Sequence, residues 1–213
     1  MATVETWRYE ALGRSACDAL KRNGFDARYV ATGSEALETV ASFIKPGMQV
    51  GFGGSMTLRA IGAPERAAAM GASILDHNAP GLSQERKIEI LRAQLSCDLF
   101  LSGSNAVTLE GDIVNVDGNG NRVAALSFGP RKTVVVVGAN KIVRDLDEAL
   151  GRLETTASPM NNKRLDRPNP CTRTGTCEDC RGESRICRAY QILRRRPFLS
   201  DFTVVVVGEA LGY

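Results

Sequence analysis

Apolar positions recur along this chain with two periods, about 3.6 residues and about 2 residues, and the two alternate. Positions 4–23 follow the helical period, with Trp7, Ala11, Ala16, Ala19 and Leu20 broadly on one face and Gly24 as a stop. An extended run at 25–31 follows. Thr32 then opens a capping box with Glu35, and Ala36, Leu37, Val40, Phe43 and Ile44 continue the helix until Pro46-Gly47. Positions 48–52 predict a short buried strand, 58–61 the start of a helix, and 73–76 another strand. Positions 83–95 predict an amphipathic helix with Ile88, Leu91 and Leu95 inward, and 99–102 a strand.

From position 106 the pattern changes. Positions 106–109 and 113–116 predict extended segments joined by a turn at Glu110-Gly111-Asp112. Asp117-Gly118-Asn119-Gly120-Asn121 is the densest turn signal in the chain. The run Thr-Val-Val-Val-Val occurs at 133–137 and again at 203–207. Such β-branched runs are too short for helices and too apolar for an edge, so both predict central strands buried on two faces. A helix is expected at 144–154. Another is expected after Cys187, with Ile186, Tyr190 and Leu193 on one face and Arg194-Arg195-Arg196 ending it before Pro197.

Strands alternating with helices predict an α/β three-layer sandwich around a mainly parallel central sheet. The expected organisation is one domain over 1–213. It carries a small β-rich excursion, and 158–200 forms a cysteine-containing excursion before the last strand.

Composition narrows the function. The chain has 213 residues, 43% hydrophobic and 24% charged, as in soluble globular proteins. Its net charge of +3 comes from an arginine excess between Lys163 and Arg196. That excess reads as a solvated face or as a site for an anionic partner. Nucleic acid is not expected, because aromatics are sparse and no binding motif occurs. No signal segment opens the chain and no apolar run reaches the ~18 residues of a membrane span. A cytoplasmic location is therefore expected. In a reducing compartment clustered cysteines read as metal ligands or redox thiols, whereas the isolated Cys17 and Cys97 read as buried small hydrophobes.

Three constellations are candidates for chemistry. The first is Gly51-Phe52-Gly53-Gly54-Ser55-Met56-Thr57, between a strand and a helix. Glycines allow close backbone approach, and Ser55 and Thr57 add hydroxyls, so Gly53, Gly54, Ser55 and Thr57 are candidates to hold an anion. A plain tight turn with Ser55 as N-cap is the other reading, and neither the P-loop nor a full G-x-G-x-x-G is present. The second comprises Asn105, Asp117, Gly118, Asn121, Arg122, Asn140 and Lys141, at strand ends from which they would reach the same crevice. Turn chemistry alone also accounts for these residue types. The third is Cys171, Cys177, Cys180 and Cys187, spaced C-x5-C-x2-C-x6-C in a stretch too polar to bury a core. Four thiolates with His77 distant in sequence suit Zn²⁺ and a [4Fe–4S] cluster alike, while free or paired thiols remain open.

The segments GFGGSMTLRAIG, SGSNAVTLEGDIVNVDGNGNRVAAL, VVVVGANKIV, NPCTRTGTCEDC and VVVVGEALGY together resemble the LUD family, the lactate-utilisation proteins (protein C-like), over almost the whole chain. The resemblance implies the fold of ribose-5-phosphate isomerase, glucosamine-6-phosphate deaminase and CoA transferases. It also implies that the glycine loop holds an anion and that the second constellation lines the rest of the pocket. The family's better-known members act in oxidation of lactate to pyruvate alongside two iron–sulfur partner proteins. Two departures stand out: no Glu is placed as a CoA-transferase nucleophile, and not all lactate-pathway proteins carry the cysteine tail. Two functions follow as expectations. One is a component of a lactate-oxidising redox complex, with an iron–sulfur cluster on the cysteines. The other is an enzyme or binding module for a small phosphorylated or carboxylated ligand, with the cysteines structural.

Overall fold

The two valine runs lie side by side. In the computed structural model, which describes residues 3–213, β7 (Lys132–Gly138) and β10 (Asp201–Val207) are parallel neighbours, with Thr203 opposite Val134 and Val206 opposite Val137. Period-2 alternation divides each run between two cores. Val135, Val137, Val204 and Val206 face one layer, while Val134, Val136, Val205 and Val207 face the other. Burial on both faces explains why neither strand shows a polar side.

The remaining strands of this sheet are β1 (Asp26–Val30), β2 (Gln49–Phe52), β3 (Ser73–Leu75) and β4 (Leu99–Gly103). The order is β1-β10-β7-β4-β2-β3, and every pairing is parallel. One face is covered by α1 (Val4–Arg22), through Ala16, Cys17 and Leu20, and by α6 (Asn121–Ser127), through Ala125 and Leu126. The other is covered by α2 (Gly33–Ala41), α3 (Met56–Ala60) and α4 (Ala63–Ala69). The result is the expected α/β three-layer sandwich. At α2, Thr32 Oγ1 caps Glu35 N, and Glu35 returns its carboxylate to Ala31 N rather than Thr32 N.

A second sheet stands beside the first. It contains β5 (Ala106–Thr108), β6 (Ile113–Asp117), β8 (Ile142–Val143) and β9 (Ala189–Leu193), in the order β8-β5-β6-β9. Helix α7 (Leu146–Arg152) packs on it through Ala149. The chain then widens into a π-type turn over Leu153–Ala157, which contributes Leu153 to the same contact, and continues as α8 (Ser158–Arg164). The short helix α9 (Cys171–Thr174) follows.

Several expectations are corrected. The stretch after Cys187 is a strand, not a helix: β9 pairs antiparallel with β6, and Tyr190 and Ile192 point outward. A free edge on β6 outweighed a weak helical pattern, since strand preference depends on the available partner. On α1, Trp7 and Ala11 are exposed and the buried stripe runs through Gly13, Ala16, Cys17, Ala19 and Leu20. On α5 (Gln84–Ala93) the buried side chain is Ile90, and Ile88 is exposed. The helix expected over 144–154 extends through α8, past Pro159, because Pro in a first turn withholds an N–H that the wide turn need not use.

Candidate functional site

Where β2, β4 and β6 end, their following loops enclose a crevice of about 290 Å³. Gly53, Gly54, Ser55, Asn105, Asp117, Gly118, Asn121, Arg122 and Lys141 all line it. The glycine loop and the strand-end residues therefore meet in one place, between the carboxyl ends of the parallel strands β2 and β4 and the end of β6 in the second sheet.

The loop after β2 is shaped by close contact. Gly54 has φ +74°, a left-handed conformation that disfavours side chains. A Cβ on Gly103, at the end of β4, would lie 2.5 Å from Ser55 Oγ, so the two loops touch only because position 103 has no side chain. Ser55 Oγ accepts from Leu58 N at 3.3 Å and caps α3, while the residue also lines the crevice.

Asp117 and Arg122 form the rigid corner. Asp117 is buried, and its Oδ2 accepts from the backbone N–H groups of Arg122 (2.9 Å) and Val123 (3.0 Å), capping α6. Its Oδ1 accepts from Arg122 Nε at 2.9 Å. The remaining guanidinium donors reach Asn105 Oδ1 and Val116 O, both at 2.9 Å, Gly103 O at 3.4 Å and Asn115 Oδ1. Five N–H groups thus meet five acceptors within the protein. Arg122 borders the crevice as a strut joining β4, the loop before β5, β6 and α6.

Lys141 contrasts with it. Its side chain is 3% exposed, and its Nζ donates to Thr57 Oγ1 at 2.8 Å. Thr57 Oγ1 in turn donates a hydrogen bond to Leu211 O at 3.0 Å. No carboxylate pairs with Lys141 among the described residues. Burial, with Arg152 and Arg122 adding to it, pushes the ammonium down from 10.5 to about 7. Thr57 is fully buried behind the lysine and does not line the crevice, which corrects its expected place there. Asn140 is likewise outside the wall. It holds the last residues, donating to Gly212 O at 3.0 Å and accepting from Leu211 N at 3.1 Å.

Other wall residues carry no sequence signal of the kind used above. His77 and Asn78 enter from the loop after β3, and Asn161 and Arg164 from α8, with Arg167 and Tyr213 beyond. His77 Nδ1 lies 3.2 Å from Gln94 Nε2, and burial lowers its basicity. The helix carrying Asn161 and Arg164 was expected to stop at 154, and the lone histidine had no patterned neighbour. Among the described residues Asp117 is the one acidic side chain in the wall, against Arg122, Lys141, Arg164 and Arg167.

The four clustered cysteines lie next to this crevice. Cys171, Cys177, Cys180 and Cys187 line one small cavity of about 10 Å³, and Cys187 also lines the crevice. Burial pushes the Cys171 thiol up, with the other three cysteines adding to the shift. No three His, Cys, Asp or Glu side chains among the described residues stand ready to coordinate one ion. Cys17 and Cys97 are buried, and burial pushes each to about 11. No described helix is long and apolar enough to cross a membrane.

The model of the LUD domain matches residues 14–207. Among solved structures, a DUF162 family protein from Deinococcus radiodurans is similar at 18% identity and a TM-score of 0.53, covering 93% of this chain and 98% of its own. That likeness is one of fold. eIF2B beta from Chaetomium thermophilum aligns at 15% identity and a TM-score of 0.31, over 53% of this chain and 44% of its own. No curated protein matches.

Proposed function

The chain belongs to the LUD domain family, and from that premise we propose that its crevice binds a small carboxylate of the 2-hydroxy- or 2-keto-acid kind, as a component of a lactate-oxidising assembly. One observation carries the reading: Lys141 presents a buried amine, with no carboxylate partner among the described residues, to a crevice rimmed by Arg164 and Arg167. A buried cation without a counter-ion is costly, and an incoming anion supplies that counter-ion. The family's association with lactate utilisation favours carboxylates among small anions.

Chain residues account for binding and orientation. Lys141 donates to the anion, and Thr57 holds the lysine at its other side. Ser55 caps α3 through its oxygen and keeps its O–H proton for a ligand. Arg122 and Asp117 neutralise one another and fix the loop geometry, so neither is free to move a proton.

The test is calorimetric titration with lactate, pyruvate, inorganic phosphate and ribose 5-phosphate. Lactate or pyruvate binding that drops about 10- to 100-fold in Lys141→Met is expected, the size of one charge-assisted hydrogen bond. Binding of the phosphates alone would transfer the site to the sugar-phosphate reading. Unchanged affinity in Lys141→Met would remove the lysine from the site.

A further inference from the structure

We propose that Cys171, Cys177, Cys180 and Cys187 bind a single divalent ion of the zinc class in a tetrathiolate site that shares a wall with the crevice. The polypeptide brings the four residues to one cavity from α9, the loop after it and the segment before β9. The left-handed backbone at Asp179 (φ 43°) turns the chain between Cys177 and Cys180, and Asp179 N donates to Cys177 Sγ at 3.3 Å. An N–H directed at a sulfur stabilises the thiolate, which is the ligand form.

Ligand number and type point to the occupant: four cysteines line the cavity, and four thiolates complete the tetrahedral set that a single ion of the zinc class takes. The sulfurs surround this space without yet converging. Tetrahedral closure, with each sulfur at about 2.3 Å from the metal, requires them to turn into the cavity they already line. Binding releases four thiol protons to solvent, and the ion with four thiolates carries a net charge of about −2. Arg185 lines the same cavity, its Nε on Cys187 O at 2.8 Å and its Nη1 on Cys180 O at 2.6 Å. Arg185 also pairs with Asp179 Oδ1 at 2.7 Å, and the negative tetrathiolate site would add a second counter-charge beside it.

Ser158, Ile186 and Cys187 border both spaces. The metal therefore orders one wall of the crevice. This consequence rests on the anion-binding reading; the metal site itself does not.

The experiment is elemental analysis of the full chain purified anaerobically without added metal, followed by titration with a mercurial. About one zinc per chain is expected, leaving as four thiols react. A Cys177→Ser/Cys180→Ser variant should hold almost none, while Lys141→Met should retain it in full even where anion binding is lost. Because the mercurial titration uses the unaltered chain, a variant that fails to fold does not obscure the result. Iron with acid-labile sulfide would overturn the single-ion site in favour of a cluster. A metal-free chain with free or disulfide-paired thiols would overturn it outright, as would zinc retained after the cysteines are replaced.

Discussion

Lys141 Nζ donates to Thr57 Oγ1 at 2.8 Å, joining two residues 84 positions apart at the floor of the crevice. The hydroxyl is the amine's hydrogen-bond partner in the protein, and it does not neutralise a charge.

A pH dependence of stability follows. The lysine titrates at about 7 when folded and near 10.5 when unfolded, so between these values the unfolded chain binds more protons. Stability should therefore rise with pH across that window, by up to about 1.4 kcal/mol per unit from this group. Below about pH 7 the cost of burying the ammonium is fully present. Urea unfolding of wild type and Lys141→Met at pH 7.5 and pH 9.5 (on the order of two units apart) checks this; equal slopes would refute it.

Anion affinity should move the opposite way. A carboxylate at Lys141 favours the ammonium, so binding should take up a proton and weaken as pH rises above about 7. The limiting loss is about tenfold per pH unit. Titrations in buffers of different ionisation enthalpy count the protons directly, and Lys141→Met should show no uptake.

The Asp117–Arg122 pair should couple strongly. Removing the Arg122 side chain leaves a buried carboxylate and four further acceptors without their side-chain donor, which should cost about 3–5 kcal/mol. Arg122→Met and Asp117→Asn, alone and combined, form a double-mutant cycle. The combined variant should lose less than the sum. Additive losses would mean that the two groups act independently.

Gly103→Ala should act through Ser55. Its new methyl would displace the Ser55 hydroxyl and weaken the cap on α3, costing about 1 kcal/mol. Ser55→Ala removes the atom in the way, so Gly103→Ala added to Ser55→Ala should cost little more. Denaturation midpoints for the three variants measure this.

Cys17 and Cys97 should resist thiol reagents until the chain unfolds. Each is buried and protonated at neutral pH, because its thiol is pushed to about 11. Site-resolved labelling with and without denaturant should show Cys17 and Cys97 reacting only on unfolding. Rapid labelling of either in the native chain would contradict its burial.

The parallel sheet was legible because each valine run fills two cores, and burial on both faces leaves an uninterrupted apolar stretch. Nine of the eleven expected pocket residues line the crevice, since glycines, Asn and Asp mark strand ends wherever those ends meet. Thr57 and Asn140 were misplaced because adjacent residues in a turn point in different directions: Asn140 ties down the chain end while Lys141 faces inward. β9 was misread because its partner, the edge of β6, is distant in sequence.

The sequence by itself determined the alternation of strands and helices, the two central strands and the family, all of which follow from local periodicity and contiguous motifs. Tertiary structure alone decided that Arg122 is a saturated strut and that Lys141 is a buried amine held by a hydroxyl, with no carboxylate partner among the described residues. Both are cations beside a loop in the sequence; acceptors supplied by remote segments separate them. The same packing placed Cys187 between two cavities, because the return of β9 to β6 sets the cysteine segment against the crevice wall.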